Sequence, residues 1–154
     1  MTPTLYFLRS SENKIVQNML PLAHPQQDNL NIYSDFYGLT SNDLGLYALV
    51  ESTIAGAIWS RRLNNEEIPT LSIALLEEFR QKGIASAMMK QFLLEAAAEY
   101  DAIKIESYNS HSLIKFLKKF DFVQVDNSTL MVKELKREEI VRPSDGYDPK
   151  RWMD

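Results

Sequence analysis

The chain contains no cysteine, which excludes a disulfide framework, a zinc knuckle and a cysteine nucleophile. It has only two histidines, His24 and His111, far apart and without metal-ligand spacing. Lone histidines of this kind are ordinarily surface or capping residues, so no metal is expected. No uncharged apolar run reaches the roughly 18 residues that a membrane span needs, and the start lacks the basic-then-apolar layout of a signal peptide. The expectation is a cytoplasmic protein with no membrane partner. Positive charge is also short: 17 Lys and Arg against 21 Asp and Glu leave a formal net charge of -4. That disfavours a broad nucleic-acid surface and suits a cationic or small substrate. There is no internal repeat, no low-complexity tract and no Walker-type Gly-x-x-x-x-Gly-Lys-Ser/Thr pattern.

What is present is enough for one domain, with 154 residues of which 45% are hydrophobic. Thr4 to Arg9 alternates as a strand. Ser10 or Ser11 can cap a helix carrying Ile15, Val16, Met19 and Leu20, with Pro21 and Pro25 breaking it. Residues 24–44 read as a short second helix plus loops. Leu46 to Glu51 and Ile54 to Arg61 form a hairpin turned at Ser52-Thr53, with Gly56 marking a bulge. Thr70 to Leu76 is the third strand of that meander. Gly83 to Tyr100 is a long helix whose Ile84, Ala85, Met88, Met89, Phe92, Leu93, Ala96 and Tyr100 make a wide buried stripe. Lys82, Ser86, Lys90, Glu95 and Glu99 are left for water. Ala102 to Ser107 is a half-buried strand, and Ser110 or Ser112 caps a helix with Leu113, Phe116, Leu117 and Phe120 facing inward. Phe122 to Val125 and Leu130 to Leu135 close the sheet around Asp126-Asn127-Ser128. Residues 1–135 thus form the domain, and 136–154 read as a charged, proline-bearing tail in which Trp152 offers a docking side chain.

The most informative stretch is Arg80-Gln81-Lys82-Gly83-Ile84-Ala85, where the strand ends and the long helix begins. A helix N-terminus presents free backbone N–H groups, a glycine lets a ligand approach the main chain, and a lysine and an arginine stand beside them. This is a physical recipe for gripping a diphosphate.

The order Arg80, Gly83, Ala85 resembles the Arg/Gln-x-x-Gly-x-Gly/Ala acetyl-coenzyme A signature of the GNAT superfamily of N-acetyltransferases. Phe116-Leu117-Lys118-Lys119-Phe120-Asp121-Phe122 is similar to that family's late Leu-Tyr-Glu-Lys-Leu-Gly-Phe segment, and the order of elements matches end to end. The resemblance implies an α/β fold, a mixed, mostly antiparallel twisted sheet of about seven strands flanked by about four helices. It also implies acetyl-coenzyme A as co-substrate and an amine acceptor. The cofactor-binding residues it marks are Ile73, Ala74 and Leu75, whose main chain would pair with the pantetheine arm, then Arg80, Gln81, Lys82, Gly83, Ile84, Ala85 and Ser86 around the diphosphate. Asn109 resembles the asparagine that often precedes the late helix, one position out of register. Leu117 replaces the usual tyrosine that reprotonates the departing thiolate. Asp121 replaces a glycine, and aspartate tolerates left-handed geometry better than most residues.

An acetyl thioester is already activated, so the work is to hold it, bring a neutral amine to attack distance and stabilise the oxyanion. An alkyl amine with pKa ~10.4 costs about 5 kcal/mol to deprotonate at pH 7. Thr70, Ser72 and Ala74 share one strand face and include no carboxylate. The base is therefore a water chain or a glutamate from elsewhere, Glu51 or Glu106, each of which also reads as a surface residue. Tyr108, just after the Ala102 to Ser107 strand, is the candidate catalytic acid in place of the missing tyrosine; otherwise it is a surface aromatic. The expected function is acetyl transfer to a primary amine. The competing readings are an acyl-coenzyme A sensing or partner-binding module on the same fold, and a nucleotide-phosphate site without acyl transfer. A homodimer is compatible with the sequence.

Overall fold

The structure, a computed structural model, describes residues 2–9, 12–25, 43–62 and 66–142. Within them a seven-stranded sheet runs in the order β1-β2-β3-β4-β5-β7-β6. The strands are β1 (Thr4–Phe7), β2 (Leu44–Val50), β3 (Thr53–Arg61), β4 (Thr70–Leu75), β5 (Ala102–Glu106), β6 (Val123–Gln124) and β7 (Leu130–Glu134). Three helices, α1 (Asn13–Ala23), α2 (Ile84–Ala96) and α3 (His111–Lys118), and a 3-10 turn at Glu77–Phe79 complete the described elements. The second helix expected within 24–44, the Ser10 and Ser11 caps and Trp152 lie outside the described residues.

Every neighbouring pair in the sheet is antiparallel except β4 and β5, which run parallel and pair only at Thr70 with Lys104. The crossover through α2 makes that parallel step, since antiparallel partners can follow a short turn but parallel ones need a long connection. β4 is thus fixed to β3 from Arg61–Thr70 to Gly56–Leu75 while β5 leaves it after one pair. The two central strands splay, and the sheet opens as a wedge at their C-terminal ends.

Each face of the sheet has its own core. Leu71, with α2 side chains Ile84, Met88, Met89 and Phe92 and α3 side chain Leu117, fills one face. Val16, Met19 and Leu20 of α1 cover Tyr47, Ala57, Trp59 and Ala74 on the other. Alternation along β4 therefore sends Leu71 to the α2 face and Ser72 and Ala74 to the α1 face. A bulge in the β2–β3 pair, where Ala48 faces Gly56 and Leu49 faces Ile54, falls beside the glycine that marked it. Gly56 has a second reason to be glycine, because a Cβ there would stand 2.5 Å from the Ala74 carbonyl oxygen.

Three expectations need correction. α1 does not stop at Pro21; it runs through it to Ala23, because a proline in the last turn forfeits one hydrogen bond but leaves His24 N–H to close on Leu20 O at 2.9 Å. Glu95 does not face water: it is 3% exposed, holds Gln91 Nε2 at 3.1 Å and takes both Nε and Nη2 of Arg142 at 2.9 and 2.8 Å. His24 is no ordinary surface residue. Its backbone ends α1, as a capping residue would, but its side chain is buried.

Candidate active site

The wedge is built by strand alternation. Pro69 O accepts from Lys104 N–H at 3.1 Å, so the peptide groups of residues 69, 71, 73 and 75 point toward β5. Beyond Thr70 no strand among the described residues pairs with β4 on that side, so the main chain of Ile73 and Leu75 faces the gap. The Ala74 peptide instead faces β3, opposite Ala57. Only two of these three residues therefore offer main chain to an extended ligand lying between the strands.

At the end of β4 the chain makes the 3-10 turn, then takes two left-handed steps, Gln81 at φ 61° and Gly83 at φ 80°. Gly83 is the N-cap of α2 and, having no side chain, supplies no side-chain cap to the helix. Its first amides, at Ile84, Ala85 and Ser86, have no intrahelical partner by geometry and lie at the helix's positive end. Among the described residues nothing beyond the adjoining backbone stands within 4 Å of a Cβ built on Gly83, so they leave the space over this loop open. Arg80, Gln81, Lys82 and Ser86 are exposed around it. Amides without an intrahelical partner, room for close approach and two cationic side chains are features that a diphosphate site would use.

Across the gap, β5 ends at Glu106 and the chain turns through Tyr108 and Asn109, at φ 54° and 56°. Glu106 Oε2 accepts from Tyr108 N–H at 2.9 Å, and Ser107 Oγ accepts from Asn109 N–H at 3.3 Å, which holds this double left-handed turn. Glu106 is thereby a brace for Tyr108. Glu51 sits in the exposed β2–β3 turn at φ 53°. Asn109 is exposed, before the Ser110 cap whose Oγ accepts from Leu113 N–H at 3.3 Å.

The residue that sequence reasoning missed is His24. Its Nδ1 lies 2.7 Å from Tyr108 Oη and its Nε2 lies 2.8 Å from Ser72 Oγ. The imidazole thus ties β4 to the turn after β5 on the α1 face, level with the divergence of the two strands. The His24 and Tyr108 rings stand nearly perpendicular, at 84°. Burial lowers the His24 pKa to about 4, so the ring is neutral at pH 7. Burial first, and then the Glu106 carboxylate, push the Tyr108 phenol up to about 12, so it stays protonated. The one local signal was Pro25, which ends α1 and leaves His24 at its terminus.

Leu117, at the position of the missing tyrosine, is completely buried in the α2-face core, and α3 offers no acid there. Asp121 takes φ 66°, as a glycine substitute must. A surface hollow of about 690 Å³ between α2 and β7, lined by Leu93, Ala97, Phe120 and Lys133, contains none of the site residues. Among the described residues no three His, Asp or Glu side chains cluster as metal ligands, and no helix is long and apolar enough to cross a membrane.

The family model described as "Acetyltransferase (GNAT) domain" matches residues 42–124, more than half of the chain. Among solved structures, the fold is similar to the ribosomal-protein-S18-alanine N-acetyltransferase from Escherichia coli, with a TM-score of 0.68, 11% identity, and 90% of this chain and 97% of that one covered. A phosphinothricin acetyltransferase from Sinorhizobium meliloti in complex with AcCoA gives a TM-score of 0.66 at 16% identity, covering 97% of each chain. A GNAT family acetyltransferase from Elizabethkingia anophelis with acetyl-CoA bound gives 0.62 at 18% identity, covering 86% and 98%. At these identities the likeness is one of fold. Among curated proteins no sequence matches the chain.

Proposed function

The chain belongs to the GNAT acetyltransferases, and from that premise we propose that it transfers acetyl from acetyl-coenzyme A to a primary amine by direct attack in a ternary complex. The observation that carries this reading is the wedge. β4 and β5 share one pair and part, and the opening runs from the Ile73 and Leu75 peptides to the uncapped start of α2.

Ile73 and Leu75 would hold the pantetheine arm as a neighbouring strand would, and the amides of Gln81 to Ser86 would take the diphosphate, with Arg80 and Lys82 adding partly solvated charge. The thioester supplies an activated acetyl group. What remains for this chain is to fix the geometry, admit a neutral amine and give a proton to the leaving thiol. Tyr108 is the group in place for the last task, being protonated at pH 7 and next to the gap. Ser72 and His24 are polar side chains on the same face, and with no carboxylate beside them among the described residues the amine's proton leaves through water.

The acceptor is an amine carried by a small molecule or a protein. The Tyr33 to Asp43 segment expected to shape its site lies, apart from Asp43, outside the described residues. The completely buried Leu117 favours one alternative, a module on this fold that binds acyl-coenzyme A without turning it over. Thiol release from acetyl-coenzyme A, measured against an amine panel, tests the proposal. Amine-dependent release supports transfer, whereas tight coenzyme A binding without release supports the module.

A further inference from the structure

The three side chains His24, Ser72 and Tyr108 come from three separate elements, and the imidazole joins partners 48 and 84 residues away in sequence. A neutral imidazole has one donor and one acceptor nitrogen. Which is which follows from satisfying the buried partner. Ser72 is 2% exposed, and its hydroxyl has one side-chain partner among the described residues, the imidazole. If Nε2 carried the proton, Ser72 Oγ would accept it and leave its own O–H buried without an acceptor. If Nε2 is the acceptor, Ser72 donates and is satisfied. The His24 proton then sits on Nδ1 and is donated to Tyr108 Oη.

We propose that His24 is the positioning residue for Tyr108: as the Nδ1–H tautomer it donates to the phenolic oxygen and so leaves the phenolic proton free to point into the β4–β5 gap. The opposite tautomer would draw that proton back toward the ring and take it out of use. This inference rests on the acyl-transfer reading. When the carbon–sulfur bond breaks and its electron pair stays on sulfur, the Tyr108 O–H bond breaks and an S–H bond forms. The electron pair left on Oη is held by the Nδ1–H donor, which stabilises the phenolate a tyrosine in this site would otherwise form with difficulty. The amine's lost proton enters water and the phenolate regains one from water, so amine plus thioester gives amide plus thiol. Ser72 fixes the tautomer, His24 fixes the phenol, and Glu106 fixes the Tyr108 backbone from the other side.

The tautomer can be read without turnover, by long-range proton–nitrogen NMR correlation on the nitrogen-15-labelled full chain, with His111→Gln assigning the only other histidine. The expected result is a protonated Nδ1 and an unprotonated Nε2 for His24. Kinetics supply the second readout, because an asparagine amide reaches the Nδ1 position and a glutamine amide the Nε2 position. His24→Asn should keep kcat within about threefold of the parent, and His24→Gln should lower it by about tenfold or more, in the range of lost general-acid help. The KM for acetyl-coenzyme A should change little in either. A protonated Nε2, or equal losses in the two variants, would overturn the proposal. Failure of the acyl-transfer reading looks different: an Nδ1–H ring in a protein that releases no thiol.

Discussion

Arg142 grips Glu95 through two parallel hydrogen bonds at 2.8 and 2.9 Å, joining the segment after β7 to the buried side of α2. Its guanidinium also lies 5.6 Å from the centre of the Phe7 ring on β1. The carboxylate is 3% exposed and the arginine 35%, so removing the arginine strands a buried charge that Gln91 only partly satisfies. Arg142→Ala should cost about 1–3 kcal/mol, below the ~3–5 kcal/mol of fully buried pairs because the arginine is partly solvated. A chain ended at Leu135 should lose the same amount, and Arg142→Met with Glu95→Met should recover most of it. Urea unfolding of the four proteins checks this.

Gly83 provides the test of the diphosphate site. Its φ of 80° disfavours any other residue, and the described residues leave open space where a side chain would go. Gly83→Val should therefore keep the fold while weakening coenzyme A by about tenfold or more, since its branched side chain enters the space the ligand needs. Calorimetry with circular dichroism on the same samples decides it; unchanged affinity in a folded variant removes the site.

Lys82 should matter less. It is exposed beside the loop, so Lys82→Ala should weaken coenzyme A by about 1 kcal/mol or less, and the loss should shrink at high salt. A loss of several kcal/mol at all salt concentrations would mean that the side chain and not the backbone dominates recognition.

His24 sets a pH dependence of stability. Its folded pKa of about 4 lies below the unfolded value of 6.5, so the unfolded chain binds the proton first as pH falls. The stability present above pH 6.5 is lost on the way down to about pH 4, by something on the order of 2–4 kcal/mol. His24→Asn removes this component. Unfolding free energies at pH 7 and pH 4.5 should differ less in the variant than in the parent by about 2 kcal/mol.

The parts of the molecule that were legible in the sequence are those governed by neighbours in the chain. The apolar rows of α2, the alternation of β5, the Ser110 cap and the left-handed turn at Asp121 follow from residues within one or two turns of each other. The helix–strand junction at Gly83 was legible for the same reason. What escaped is set by contacts between distant segments. Glu95 has the polarity of a surface residue, and only Arg142, 47 positions later, explains its burial. His24 looks like a chain-end cap until β4 and the turn after β5 bring Ser72 and Tyr108 to it. The splay of β4 from β5 is likewise a property of the sheet, written in no single strand.

Tyr108 carries the most direct test of the account, which is amine-dependent thiol release from acetyl-coenzyme A by the parent chain and by Tyr108→Phe, across a broad amine panel with cofactor binding confirmed. The parent should turn over with at least one class of primary amine, kcat should fall about tenfold or more in Tyr108→Phe, and coenzyme A affinity should change little. A parent chain that binds the cofactor and releases no thiol with any amine, or a Tyr108→Phe variant as fast as the parent, would contradict it.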